Sequence, residues 1–311
     1  MKKYPIHADF KKYQNMKTPI SPLLLPTMNR VLENSYNKRL PASGVQEKTM
    51  MIPGYRDEMI EIRLYEPENI KADLPCLIYL HGGAFVLKSA AFHKDLICQY
   101  VLKTPCKVLF VDYRLAPKHI CPTGLEDCYK ALEWVYHHGS ELGINKNKLA
   151  VGGDSAGGAL AAGVCLMARD RKGPEILFQM LIYPVTDARL ETDSMKEFLD
   201  TPLWNARQNK KMWQLYLGDK KNLELAYASP MEAKSFKDLP PAYLEVAEFD
   251  CLRDEGLLFA EALHNAGVSV QSIQTRGTIH GFEIAEDSII VRESIDRRVK
   301  ALQSIFSNTS I

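Results

Sequence analysis

Short apolar runs recur along the chain from about residue 48 and predict the strands of a sheet. In residues 58–68, Ile60, Ile62 and Leu64 alternate with polar residues, which is typical of a half-exposed edge strand. A second β-rich run precedes it at 48–54. The later runs are nearly all apolar, apart from a more polar last one, and cover residues 74–80, 106–113, 148–153, 178–185, 241–249 and 269–277. Strands that are apolar on both faces belong in a parallel sheet that is covered by helices.

The stretches between these runs are amphipathic and predict helices. Two of them, residues 124–143 and 254–267, end at Gly143 and Gly267, and glycine is typical of the position where a helix stops. Alternating strands and helices form doubly wound folds. We therefore predict an α/β fold with a mostly parallel, eight-stranded sheet flanked by helices.

Two segments break the alternation and predict a helical cap over one end of the sheet. The first 47 residues mix prolines with short apolar helical stretches, and about 55 residues separate the strand at 178–185 from the strand at 241–249. That distance is too long for a simple crossover. We predict one domain over residues 1–311, with a core that contains the sheet at about 48–187 and 225–311 and a cap from 1–47 and about 188–224.

Composition and charge exclude several classes of protein. The 311 residues are 46% hydrophobic and 25% charged with a net charge of +1. The Lys and Arg residues are scattered among acids, so the sequence shows nothing like the basic stripe of a nucleic-acid binder. The longest apolar run, 156–168, is shorter than the roughly 20 residues that cross a bilayer, and the N-terminus lacks the apolar segment of a signal peptide. Seven cysteines form no CxxC pair and no metal-ligand spacing, which favours reduced thiols. We expect a soluble, cytoplasmic protein without a membrane span.

The most informative motif is Gly-Asp-Ser-Ala-Gly at residues 153–157, between a predicted strand and a predicted helix. This is the context that a nucleophilic serine of the G-x-S-x-G type requires. A serine at the tip of such a turn is forced toward positive φ, and side chains at Gly153 and Gly157 would clash. The turn exposes the Ser155 hydroxyl at a helix N-terminus, where the helix dipole favours negative charge. The alternative is a glycine-rich turn that only packs the helix close to the sheet.

A serine nucleophile needs a histidine and an acid, which follow it in the chain on this kind of fold. Only His264 and His280 follow Ser155. His264 lies near the end of an amphipathic helix, where a capping role is the better interpretation. His280 follows the last strand on a loop flanked by Gly277 and Gly281. We predict His280 as the base.

The acid should lie at the end of the penultimate strand, where α/β sheets collect their active groups. Asp250 stands directly after the apolar run 241–249 and is our prediction. Glu248, which the run still includes, is the alternative, and Asp254 is predicted as the N-cap of the next helix.

Another apolar run stops at His81-Gly82-Gly83. Glycines let the backbone approach a substrate closely, and N–H groups that point at a developing oxyanion stabilise acyl transfer. An H-G-G-x sequence is expected of esterases and lipases. We predict an oxyanion hole from the N–H groups of Gly82, Gly83 and Ala156, with His81 as a structural anchor of the loop.

Taken together, these motifs resemble those of hormone-sensitive-lipase-like carboxylesterases. The resemblance covers about residues 48–290 and includes HGGAF, VDYRLAP, GDSAGGALA, YPVTD, YASP, LPPAYLEVAEFDCLRDEG and HGF in that order. It implies an α/β-hydrolase fold with a helical cap, without metal or cofactor, in which Ser155 is the nucleophile, Asp250 the acid and His280 the base. The sequence departs from the pattern at Cys251, where that family usually has proline.

The function that these features predict is a serine carboxylesterase for short- to medium-chain esters. We expect a small-molecule ester as partner and leave a homodimer open. Six residues are predicted to line an apolar acyl pocket, with plain cap core as the alternative for each: Phe85, Leu203, Trp204, Met212, Trp213 and Tyr216. Amide, aryl formamide or carbamate hydrolysis by the same triad stays open, as does an inactive ligand-binding relative. The lack of a propeller or other gating domain disfavours a peptidase.

Overall fold

A computed structural model describes residues 4–70, 72–219 and 225–307. Within these ranges eight strands form one sheet, as predicted. The strands are β1 Val45–Pro53, β2 Met59–Pro67, β3 Leu74–Leu80, β4 Lys107–Asp112, β5 Ile144–Asp154, β6 Phe178–Ile182, β7 Ala242–Phe249 and β8 Val270–Ile279. Each predicted run contains or overlaps a strand. The apolar run 74–80 coincides with β3 at both ends.

The order of the strands brings the loops that follow β3 and β5 together. The sheet runs β1-β2-β4-β3-β5-β6-β7-β8, with β2 antiparallel to both of its neighbours and every other pair parallel. The chain reverses its direction of winding between β3 and β5, which pair with Leu80 opposite Gly153. Ligands of open α/β sheets bind outside the carboxyl ends of the strands at such a switch point.

Helices cover both faces of the sheet because its central strands are apolar on both sides. The α-helices of the described ranges are α1 Leu25–Lys38, α2 Ala91–Lys103, α3 Thr123–His138, α4 Ala156–Asp170, α5 Asp193–Glu197, α6 Ala206–Leu217, α7 Leu225–Ala228, α8 Arg253–Asn265 and α9 Ile289–Ser307. Apolar side chains of α3, α4 and α8 pack in one core, and those of α2 and α9 pack in a second core on the opposite face. In the described ranges, no helix combines the length and the apolar character needed to cross a membrane.

The two segments predicted to form the cap contact each other. The Leu203 N–H donates to the Met16 carbonyl at 2.9 Å, and the Thr18 N–H donates to the Leu203 carbonyl at 3.3 Å. The sheet begins at Val45, so the last three residues of the predicted cap segment 1–47 belong to β1. Residues 220–224 of the predicted cap lie outside the described ranges. The division of the chain into core and cap stays a prediction.

A cluster of buried charged residues joins strand β7 to helix α9. The Arg298 guanidinium of α9 is fully buried; its Nε donates to Glu245 at 2.7 Å, and its Nη2 lies 2.6 Å from Glu283. Burial raises the pKa of Glu245, but the Arg298 charge and the hydrogen bonds from Arg298, Thr275 and Ser294 together outweigh burial and hold this pKa at about 2. The carboxylate of Glu245 is therefore kept charged in the folded protein.

This lowered pKa predicts a loss of stability in acid. A group whose pKa is lower in the folded state stabilises the fold above its ordinary pKa, and that contribution disappears as the pH falls toward the folded value. For Glu245, about 2 kcal/mol of the free energy of unfolding should be lost between about pH 7 and about pH 3. We expect Glu245→Gln to be less stable at neutral pH and to lack this part of the decrease, as measured by urea unfolding at both pH values. The matched control is Glu141→Gln at an exposed position; the expectation fails if Glu245→Gln keeps the pH dependence of the unchanged protein.

Candidate active site

Ser155 lies on a sharp turn between β5 and α4. Its backbone has φ 56° and ψ −118°, a strained conformation for a residue with a side chain, which confirms the predicted positive φ. A Cβ atom on either Gly153 or Gly157 would collide with the carbonyl oxygen of Leu80. The two glycines are therefore required by the close approach of this turn to the end of β3, and the turn holds the serine at the N-terminus of α4.

Asp250 and His280 meet Ser155 because they follow neighbouring strands. Phe249, the last residue of β7, pairs with Ile279, the last residue of β8. His280 Nδ1 lies 2.6 Å from Asp250 Oδ2, and His280 Nε2 lies 2.8 Å from Ser155 Oγ. Because a carboxylate accepts a hydrogen bond, Nδ1 carries the proton and Nε2 accepts from the serine hydroxyl. All three side chains are buried.

Neither of the other two acids near Asp250 reaches the imidazole. Glu248 accepts a hydrogen bond from the Gly277 N–H at 2.5 Å, and Asp254 accepts one from the Ser194 N–H at 2.7 Å. The prediction that Asp254 is the N-cap of α8 is wrong. The N-cap is Leu252, and Asp254 lies in the first turn of the helix. The second oxygen of Asp250 accepts from the Leu252 N–H at 3.0 Å, so this acid is fixed at both oxygens.

His81 is buried away from the triad, in keeping with a structural role. Its ring stacks on Tyr113 with the centroids 4.5 Å apart, and its Nδ1 donates to the Gly82 carbonyl at 2.6 Å. Burial, with the neighbouring His93 ring, lowers the pKa of His81 to about 4. A neutral ring that is held by this stack and this hydrogen bond can fix the loop after β3, but it is not in contact with Ser155.

The structure corrects one of the predicted oxyanion donors. The Gly82 N–H donates to Asp154 Oδ1 at 3.0 Å and is therefore not available to a substrate. Asp154 also accepts from the Tyr79 hydroxyl at 2.8 Å and lies 3.2 Å from His93 Nε2. Burial would raise the pKa of the Asp154 carboxyl, but His93, Tyr79 and the Gly82 N–H together hold it well below its usual range. The charged acid next to Ser155 thus ties the glycine loop to the serine turn.

Three other N–H groups can take the oxyanion role. Among the described residues, the N–H groups of Gly83, Ala84 and Ala156 donate to no protein acceptor. Gly83 and Ala84 have φ values of 128° and 58°, and both line the cavity beside Ser155. The sequence prediction missed Ala84 because it assigned the first two donors to the two glycines, Gly82 and Gly83. Asp154 in the same motif could have indicated the difference, because a buried carboxylate needs hydrogen-bond donors and can take up the N–H of Gly82.

An apolar cavity of about 280 Å³ lies next to Ser155 and His280. Leu203 and Trp204 line it as predicted, together with Met16, Leu87, Phe92 and Ile284. The other four predicted lining residues do not: Phe85 stacks on Tyr216 at a centroid distance of 3.8 Å, and Met212 and Trp213 are buried in the same core. The buried side of α6 faces the core rather than the cavity. A larger groove of about 610 Å³ near Arg169 and Pro240 contains none of the triad residues.

Comparisons with known proteins agree with this geometry. A family model described as alpha/beta hydrolase fold matches residues 77–284. Esterase LipI of Mycobacterium tuberculosis is 37% identical over 229 residues, which cover 72% of this chain and 71% of the relative. Carboxylesterase NlhH of the same species is 36% identical, covering 78% of this chain and 76% of the relative. The solved structure of a bacterial heroin esterase superposes with a TM-score of 0.91 at 32% identity, covering 98% of this chain and 99% of that one.

Proposed function

Because the chain belongs to the α/β-hydrolase-fold family and to its hormone-sensitive-lipase-like members, we propose that it hydrolyses short- to medium-chain carboxylic esters through Ser155, His280 and Asp250. One observation supports this proposal above the others. Ser155 Oγ and Asp250 Oδ2 lie at hydrogen-bond distance from opposite nitrogens of one imidazole, at 2.8 Å and 2.6 Å. That is the arrangement by which a weak nucleophile is activated for acyl transfer.

In the first half of the proposed reaction, His280 Nε2 takes the proton of Ser155 as Oγ attacks the ester carbonyl. The carbonyl electron pair moves onto its oxygen, and in this proposal the N–H groups of Gly83, Ala84 and Ala156 stabilise the resulting oxyanion. Asp250 holds the Nδ1–H tautomer and stabilises the imidazolium that forms. When the tetrahedral intermediate collapses, the C–O bond breaks and the alcohol leaves with the proton from Nε2.

In the second half, His280 removes a proton from water, and the resulting hydroxide attacks the acyl carbon of the acyl-enzyme. Collapse returns the electron pair to Ser155 Oγ, which recovers its proton from Nε2, and the acid is released. The same N–H groups stabilise both tetrahedral intermediates, so each N–H group contributes to both halves of the reaction.

The size of the cavity supports the short acyl preference. At about 280 Å³ it lies at the lower end of the usual range of pockets for drug-sized ligands. Leu203 and Trp204 from one predicted cap segment and Met16 from the other line it. We propose that these cap residues limit the length of the acyl chain.

The test is hydrolysis of a p-nitrophenyl ester series from acetate to decanoate by the unchanged chain and by Trp204→Ala. We expect kcat/KM to be highest for short acyl groups in the unchanged chain. Because Trp204 closes one side of the cavity, its removal should raise the ratio of kcat/KM for hexanoate to that for acetate about tenfold.

Met212→Ala is the matched control, because it also removes a large buried cap side chain but one that lies outside the cavity. It should cost about 2–5 kcal/mol of stability and leave the acyl preference unchanged. No hydrolysis of any ester in the series would refute the proposal, and equal rates on matched p-nitrophenyl esters and p-nitroanilides would favour an amidase.

A further inference from the structure

The buried charged cluster on α9 extends to the loop that carries His280. Glu283, three residues after His280, has Arg298 Nη2 2.6 Å from its Oε1. Its Oε2 accepts a hydrogen bond of 2.6 Å from the Tyr183 hydroxyl. The Arg298 guanidinium also lies over the Phe282 ring, 5.6 Å from its centroid. One side chain of the last helix thus holds two of the three residues that follow His280.

Tyr183 connects this cluster to the imidazole itself. Its ring meets the His280 ring edge to face, with the centroids 4.7 Å apart and an interplanar angle of 62°. Its backbone N–H donates to the Glu245 carbonyl at 2.5 Å. Tyr183 has φ 34°, an uncommon value for a residue with a side chain. The phenol and the backbone of Tyr183 are therefore both held, and its ring has a fixed place against His280.

The hydrogen bonds of the triad do not by themselves hold the plane of the imidazole rigidly. The ring can turn about its Cβ–Cγ bond, and each hydrogen bond opposes this rotation only weakly because its net contribution in a protein is small. Rotation about this bond turns the Nε2 lone pair away from the Ser155 hydroxyl, and small misplacements of a reacting group can cost large factors in rate. Of the aromatic rings near His280 in the described residues, Tyr183 lies at 4.7 Å and Trp204 at 6.1 Å. Tyr183 is thus the nearer ring to oppose the rotation.

We propose that Glu283 and Arg298 are positioning residues that act through Tyr183 to fix the ring plane of His280. This inference rests on the proposed role of His280 as the base. Arg298 holds Glu283, Glu283 holds the Tyr183 phenol, and the Tyr183 ring limits rotation of the imidazole. The charged cluster therefore supports catalysis in addition to stability.

A double-mutant cycle tests this chain of contacts with p-nitrophenyl acetate as substrate. Tyr183→Phe keeps the ring but removes its hydrogen bond to Glu283, and Glu283→Gln weakens the same hydrogen bond from the other side. We expect each variant to lower kcat about tenfold, with KM within about twofold. Because both changes break one linkage, the double variant should lose no more than the stronger single variant.

Tyr243→Phe is the matched control. It removes a buried phenol that donates to Glu245 in the same cluster, at 3.1 Å. It should lower the thermal midpoint and leave kcat unchanged. Wild-type kcat in Tyr183→Phe, additive losses in the double variant, or an equal loss of kcat in Tyr243→Phe would each overturn the inference. If Ser155→Ala is inactive while Tyr183→Phe has normal kcat, only this inference fails; if Ser155→Ala stays active, the proposed function fails first.

Discussion

Ser155→Ala is expected to lower kcat for p-nitrophenyl acetate by about 10⁴- to 10⁶-fold. Without Oγ no acyl-enzyme forms, and His280 and Asp250 then have no nucleophile to activate. The residual rate comes from the N–H groups of Gly83, Ala84 and Ala156, which can still stabilise direct attack by water. Steady-state hydrolysis at a saturating ester concentration measures the effect.

Labelling with a fluorophosphonate, followed by identification of the modified peptide, provides an independent measurement of the nucleophile. The unchanged chain should carry the label on Ser155, and Ser155→Ala should carry none. Ser140→Ala, which changes an exposed serine, is the control for nonspecific effects of the substitution. Activity in Ser155→Ala within about tenfold of the unchanged chain, or a label on another residue, would remove Ser155 from the proposed mechanism.

The convergence of the triad could be predicted because it depends on local sequence and on a general rule of topology. A strand followed by Gly-Asp-Ser-Ala-Gly marks the turn, and parallel strands bring their carboxyl ends to one edge. Asp250 and His280 each directly follow a strand, and those strands are neighbours in the sheet. The register of β7 against β8, with Phe249 opposite Ile279, places Asp250 beside His280.

The proposed oxyanion donors could not be assigned by the same reasoning, because the choice among the N–H groups depends on a contact between residues far apart in the chain. Gly82 and Asp154 are 72 positions apart, and the carboxylate takes up the Gly82 N–H. A charge buried in a protein needs hydrogen bonds, and Asp154 obtains them from the nearest donors. The free donors are therefore shifted along the chain to Gly83 and Ala84.

The cap and the buried charges were hard to predict for a different reason. Large aromatic residues in a predicted cap segment have the same sequence pattern whether they face a core or a cavity. The pattern therefore gave no basis for separating Trp213, which lies on α6, from Trp204, which precedes this helix. Glu245 interrupts an apolar strand, and Arg298 lies 53 positions away on α9. Only the folded packing shows that they form a pair.

Asp250→Asn is the second large effect that we expect, with kcat lowered about 10⁴-fold. The amide can donate a hydrogen bond to Nδ1, which favours the tautomer with the proton on Nε2. Nε2 then has no free lone pair for the Ser155 hydroxyl. The charge that stabilises the imidazolium in both halves of the reaction is lost as well.

Glu248→Gln is the control that separates the two acids considered for this role. Glu248 lies two residues before Asp250, but it binds the Gly277 N–H instead of the imidazole. Its replacement should change kcat by no more than a few-fold, since the amide oxygen of glutamine can still accept that hydrogen bond. Measured kcat for p-nitrophenyl acetate decides between them: a large loss in Glu248→Gln with near-normal turnover in Asp250→Asn would transfer the acid role to Glu248. The opposite result is the one that the 2.6 Å contact between Asp250 and His280 predicts.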